Sequence, residues 1–107
     1  MTLEGIKEEI EIINDDIVSN ALKEYLSLKE LVELYTRLLQ LNYEFINLNY
    51  SLYTANELEV VRFSLQEEVI NMRILIKERL GKDTMKEVKK FKELYKSCEK
   101  IGGVEIE

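Results

Sequence analysis

The sequence predicts an all-α protein: a three- or four-helix antiparallel bundle with a long central helix, dimeric through that helix. Three observations carry this. Apolar residues recur at intervals of three and four along most of the chain, the period of one helix face. Pro is absent and Gly occurs only 4 times in 107 residues, so little interrupts a helix. Two Thr-x-x-Glu boxes, Thr54 to Glu57 and Thr84 to Glu87, stand where helices should begin.

The first helix is expected over residues 3–18. Leu3, Ile6, Ile10, Ile13 and Ile17 form one stripe, and Glu4, Glu8, Glu11 and Asp15 form an acidic stripe beside it. The apolar seam lapses at Ser19–Asn20. Either the chain breaks there, with Asn20 as N-cap, or one very long helix continues.

A second helix is expected over residues 21–52, with two apolar stripes. One is Leu31, Leu34, Leu38, Leu41, Phe45, Leu48 and Leu52; the other is Tyr25, Leu28, Val32, Tyr35, Leu39 and Ile46. On a helical wheel they lie about 115° apart, more apolar surface than one neighbour can cover. This is the reason for expecting a central or shared helix. Asn42 and Asn49 fall on the second stripe. Buried there, they would fix register; otherwise the helix ends or is exposed near its C-terminus.

The third helix is expected from Thr54 to about Leu80. Thr54 and Glu57 supply the capping box, with Tyr53 and Leu58 at hydrophobic-staple positions. Leu58, Val61, Leu65, Val69, Met72 and Ile76 make its main stripe, and Val60, Phe63, Ile70 and Ile74 a second. Gly81 follows at the left-handed C-cap position. The fourth helix is expected over residues 84–100. Met85, Val88, Phe91, Leu94, Tyr95 and Cys98 should face inward, with Lys82, Lys86, Lys89, Lys96 and Lys100 opposite. Residues 1–101 read as one helical domain, and 102–107 as a mobile tail.

Composition excludes much chemistry. There is no His and one Cys, Cys98. One chain therefore holds no Ser–His or Cys–His nucleophile pair, no Glu-x-x-His di-iron motif and no His- or Cys-built structural zinc site. Neither a catalytic residue nor a metal or cofactor is expected. Glu67 and Glu68, being adjacent on a helix, point about 100° apart and cannot chelate together; solvated glutamates are the simpler reading. Arg62 and Arg73 share a side of the third helix, to bind an anion or to pair with second-helix glutamates. The lone cysteine and the lack of an apolar leader fit a cytoplasmic protein.

Charge is unevenly placed. Residues 1–76 carry 6 basic and 14 acidic side chains, a net −8; residues 77–100 carry 9 and 5, a net +4; Glu105 and Glu107 complete the total of −6. The lysine stripe and the acidic stripe of the first helix share a spacing, so the two helices are expected to lie side by side. Alternatively, the lysines contact nucleic-acid phosphates.

Over Ile6–Ile17 the chain resembles the opening of the all-helical chorismate mutases. The resemblance would imply a ring of Arg and Lys holding two substrate carboxylates. The basic residues available here, Lys7, Lys23, Lys29 and Arg37, do not reproduce that ring. The resemblance therefore names no site.

The functional expectation is a non-enzymatic protein–protein interaction module: an adaptor, an assembly subunit or an inhibitor, such as an acidic inhibitor of a nucleic-acid-handling machine. Its partner or dimer interface is expected at Leu31, Leu34, Leu38, Leu41, Phe45 and Leu48, with Tyr43, Tyr50 and Tyr53 at the helix end. The alternative is nucleic-acid binding through Lys82, Lys86, Lys89, Lys96 and Lys100. A small helical enzyme is a third reading, and it would need a pocket where Arg and carboxylate groups converge.

Overall fold

The structure, a computed structural model, describes residues 1–23 and 26–99, with side chains for 1–17 and 26–96. Lys100, the Tyr25 and Cys98 side chains and the tail 102–107 lie outside the described residues. Four α-helices follow one another: α1 (Leu3–Lys23), α2 (Leu28–Ile46), α3 (Ala55–Arg79) and α4 (Met85–Glu99). A single 3-10 turn at Tyr50–Leu52 lies between α2 and α3. Among the described residues there is no strand, and no helix is long and apolar enough to cross a membrane.

The helix ends follow from hydrogen-bond chemistry. The first break does not fall at Asn20; α1 continues to Lys23. α2 starts after Ser27, whose hydroxyl accepts from the Glu30 N–H at 3.1 Å while the Glu30 carboxylate accepts from Ser27. This reciprocal box satisfies two N–H groups that a helix start leaves open. α2 also ends earlier than its apolar period, at Ile46. The Asn47 amide donates to the Tyr43 carbonyl at 2.8 Å, and Asn49 caps the 3-10 turn through the Ser51 N–H and hydroxyl. Short amide side chains thus take over the backbone partners that a continuing helix would use. Asn49 is exposed at that turn rather than buried in a seam.

α3 begins at the expected Thr54–Glu57 box and ends as expected. Gly81 adopts φ +70°, and the Lys82 N–H reaches back to the Lys77 carbonyl at 2.8 Å. Only Gly takes that left-handed conformation without strain, so the helix stops there.

α3 is the helix that touches all the others. The longest element is therefore central, where the sequence had placed the second helix. Neighbouring helices run antiparallel. Glu9 pairs with Arg37 and Met1 with Glu44 between α1 and α2; Arg73 meets Tyr35 between α2 and α3; Phe63 stacks edge-on against Tyr95 between α3 and α4. The core joins Leu3, Ile6, Ile10 and Ile13 of α1 to Leu31, Leu38, Leu41 and Phe45 of α2 and to Val61, Leu65 and Met72 of α3. No described α4 residue belongs to it. Each fully buried aliphatic contributes roughly 1.5–3 kcal/mol.

Two adjacent residues of α2 show how narrow the boundary is: Leu38 is 0% exposed and Leu39 is 44% exposed. Leu38→Ala is expected to cost about 2–5 kcal/mol in urea unfolding. Leu39→Ala, at protein concentrations low enough to keep chains apart, should change stability by no more than about 0.5 kcal/mol.

Candidate interaction surface

The residues expected to form a partner surface divide into two groups. Leu31, Leu38, Leu41 and Phe45 are buried among α1 and α3 of the same chain, with Leu34, Leu48 and Tyr53 half-buried beside them. The Tyr53 hydroxyl accepts the Leu3 N–H at 3.2 Å, fastening the start of α1 to the α2–α3 connection. Tyr43 and Tyr50 are exposed, and the Tyr50 ring leans on Phe45 with centroids 6.0 Å apart.

What α2 leaves uncovered is its other face. Val32, Thr36, Leu39, Tyr43 and Ile46 are all exposed. Their spacing of four, three, four and three is the seam of a two-helix coiled coil. Leu39, Tyr43 and Ile46 keep 44%, 67% and 60% of their surface in water. Leu39 stands on a crest between two depressions. On one side α2 and α4 part over α3, leaving an open groove with Asn42, Gln66, Ile70, Arg73 and Lys90. On the other side lie Met1, Thr36, Gln40 and Tyr43. The seam was legible as part of the second stripe. Its exposure was not, because a stripe on a helix does not say whether another helix covers it.

α4 is held differently. Glu87, only 4% exposed, accepts from the Lys77 ammonium, and the Tyr95 hydroxyl donates to Glu67. The hydrogen bond from Lys77 holds the Glu87 carboxylate below the usual range. Glu87 therefore turns onto α3 rather than back to its own helix start, where the sequence had placed it as a cap. The Met85 N–H is taken by Asp83 instead. The rotation that buries Glu87 puts Met85 and Val88 outside, at 71% and 36% exposure, against the inward placement expected of them. Phe91, Leu94 and Tyr95 are half-buried.

The lysine and acidic stripes do not meet. α1 packs on α2 and α3, and α4 packs on α3. Among the described residues no ion pair joins the two stripes. Lys82, Lys86, Lys89 and Lys96 are exposed, as are Glu4, Glu8, Glu11 and Asp15. The arginines also find partners other than second-helix glutamates. Arg62 pairs with Glu59 on its own helix, whereas Arg73 donates to the Tyr35 hydroxyl at 2.8 Å with its guanidinium over that ring.

Glu68, expected in solvent, is buried in the α3 seam between Leu65 and Met72. Desolvation, with the neighbouring charge of Glu67, raises its pKa. No group of His, Cys, Asp and Glu among the described residues is arranged to hold a metal ion. The chain matches no protein-family model, no curated protein and no solved structure.

A raised carboxyl pKa means that the folded state binds the proton more tightly than the unfolded chain. The Glu68 carboxylate therefore costs stability at neutral pH, and the cost is relieved as pH falls through the raised value toward the ordinary glutamate range. Glu57, Glu59 and Glu87, whose pKa values are lowered, act with the opposite sign: their contribution is present at neutral pH and fades as pH drops below that range. Glu68→Leu should raise stability at pH 7 by about 1–3 kcal/mol. It should also remove the part of the pH profile lying above the ordinary glutamate range. Thermal unfolding at a series of pH values measures both effects.

Proposed function

We propose that this chain is a non-enzymatic protein–protein interaction module, acting as an assembly subunit, whose working surface is the outer face of α2. Homodimerisation through the second helix belongs to this reading. It uses the Val32–Leu39–Ile46 face in place of the stripe that the chain buries within itself. The observation that carries it is the exposed four-three spacing of Val32, Thr36, Leu39, Tyr43 and Ile46. An apolar strip of this size on a protein surface is often functional. The strip also lies on a capped helix, so it is presented in a fixed shape.

A second reading has its own observation: the exposed lysines of α4 and of the turn before it. In that reading Lys82, Lys86, Lys89 and Lys96 contact phosphates, against the repulsion of the acidic remainder of the chain.

Light scattering on a concentration series separates the two. The interaction reading expects molar mass to rise with concentration, in salt as well as without it, and Leu39→Glu or Ile46→Lys to hold it at the monomer value. An association that survives both substitutions would remove the α2 face from consideration. The nucleic-acid reading expects binding to a duplex to weaken linearly in log affinity against log salt. Alanine at Lys86, Lys89 and Lys96 should then reduce that slope by about 1 for each lysine.

A further inference from the structure

We propose that the occupant of the α2 outer face is a second copy of this chain, lying antiparallel across it about a two-fold axis at Leu39. This rests on the reading of that face as an interaction surface and names its partner and its register.

The face is nearly palindromic about Leu39. Seven residues to either side of it stand Val32 and Ile46, both exposed; three residues out, at the edges of the face, are Thr36 and the half-buried Asn42. A two-fold interface is isologous, so a residue on one copy meets its counterpart reflected through the axis on the other. Leu39 then meets Leu39, and on either side of it Val32 of one copy meets Ile46 of the other, a β-branched aliphatic against a β-branched aliphatic. The three apolar layers match in size and polarity. The depressions on each side of Leu39 leave room for the ridge of the opposing helix.

Charge selects the orientation. Lys29 begins the same seam, three residues before Val32 at the N-terminal end of α2. In a parallel pair Lys29 would face Lys29, both at helix N-termini whose dipole is already positive. In the antiparallel pair each Lys29 lies past the partner's Ile46, beside the carbonyl end of the partner's helix, where a cation is favoured. Glu33 and Gln40 line one flank and Tyr35 and Asn42 the other, so the antiparallel seam brings no like charges face to face.

Area sets the class of interface. The exposed parts of Val32, Leu39, Tyr43 and Ile46 are on the order of 100 Å² each. With the polar flanks, a pair of copies withdraws about 1,000 Å² from water, the size of a weak, transient interface rather than a permanent one. The dimer is therefore reversible, and its population rises with protein concentration.

Disulfide trapping tests the register. All variants carry Cys98→Ser, so that the introduced thiol is the only one, and circular dichroism confirms their helix content. On brief oxidation Leu39→Cys should give a covalent dimer. Val32→Cys alone and Ile46→Cys alone should not, while an equal mixture of the two should. Efficient trapping of Val32→Cys and Ile46→Cys each with itself would mean parallel pairing and would overturn the proposal. So would a dimer by light scattering that none of these thiols traps, or a chain that stays monomeric at the highest concentration reached. The two readings fail separately. If Leu39→Glu abolishes association but the trapping pattern is parallel, only the register is wrong; if Leu39→Glu leaves association intact, the α2 surface itself is wrong.

Discussion

The arrangement depends on α3 having to bury two opposite faces at once. Val61, Leu65 and Met72 point to one side, and Phe63, with Glu67 and Lys77, serves the other. A helix apolar on both sides is stable only between neighbours. α1 and α2 take the first side and α4 takes the second. Once α3 is so enclosed, α1 and α2 have used their best stripes on it and on each other. The outer face of α2 then has no described helix over it.

The two sides of α3 are held by different physics. Toward α1 and α2 the contact is mainly aliphatic, with the Glu68 carboxylate buried in it, and α1 is held to α2 where Arg37 grips Glu9 through two nitrogens, with contacts at 2.8 and 3.2 Å. Toward α4 the contact is aromatic and charged: Phe63, Phe91 and Tyr95 stack, and the Lys77–Glu87 and Tyr95–Glu67 pairs fix the rotation of the helix. Hydrophobic contact does not discriminate strongly between rotations of a helix, whereas a desolvated ion pair does, because one partner alone would be left uncompensated. That is why α4 presents Met85 and Val88 to solvent although a purely apolar reading would bury them. The same preference for satisfied polar groups shows at its start, where the Asp83 carboxylate accepts the Met85 N–H.

Local signals were legible wherever the chemistry was local. The Thr54–Glu57 box and the Gly81 stop were readable because every group involved lies within a few residues. The Ser27–Glu30 box is equally local, although the apolar seam lapses earlier, at Ser19–Asn20. A lapse in a seam shows only that no neighbour is needed at that point; a capping box shows where backbone donors are satisfied. The Asn47 and Asn49 stop was hidden for a related reason. Apolar periodicity runs through Leu48 and Leu52, and the side-chain bonds that end α2 override it. Glu68 could not be placed from sequence at all. Its position on the wheel lies between Leu65 and Met72, but nothing in a charged residue's identity announces that it will be buried.

By itself the sequence determined that the chain is helical, where α3 starts and stops, and that α2 carries more apolar surface than one neighbour can cover. These follow from period and from capping, which are properties of contiguous residues. Only the tertiary structure decided which helix is central, which stripe of α2 faces inward, and that the acidic stripe of α1 and the lysines of α4 lie apart. Each of those is a choice between faces of similar hydrophobicity. It is settled by which pairings bury apolar area while leaving polar groups partnered, a sum taken over residues far apart in the chain.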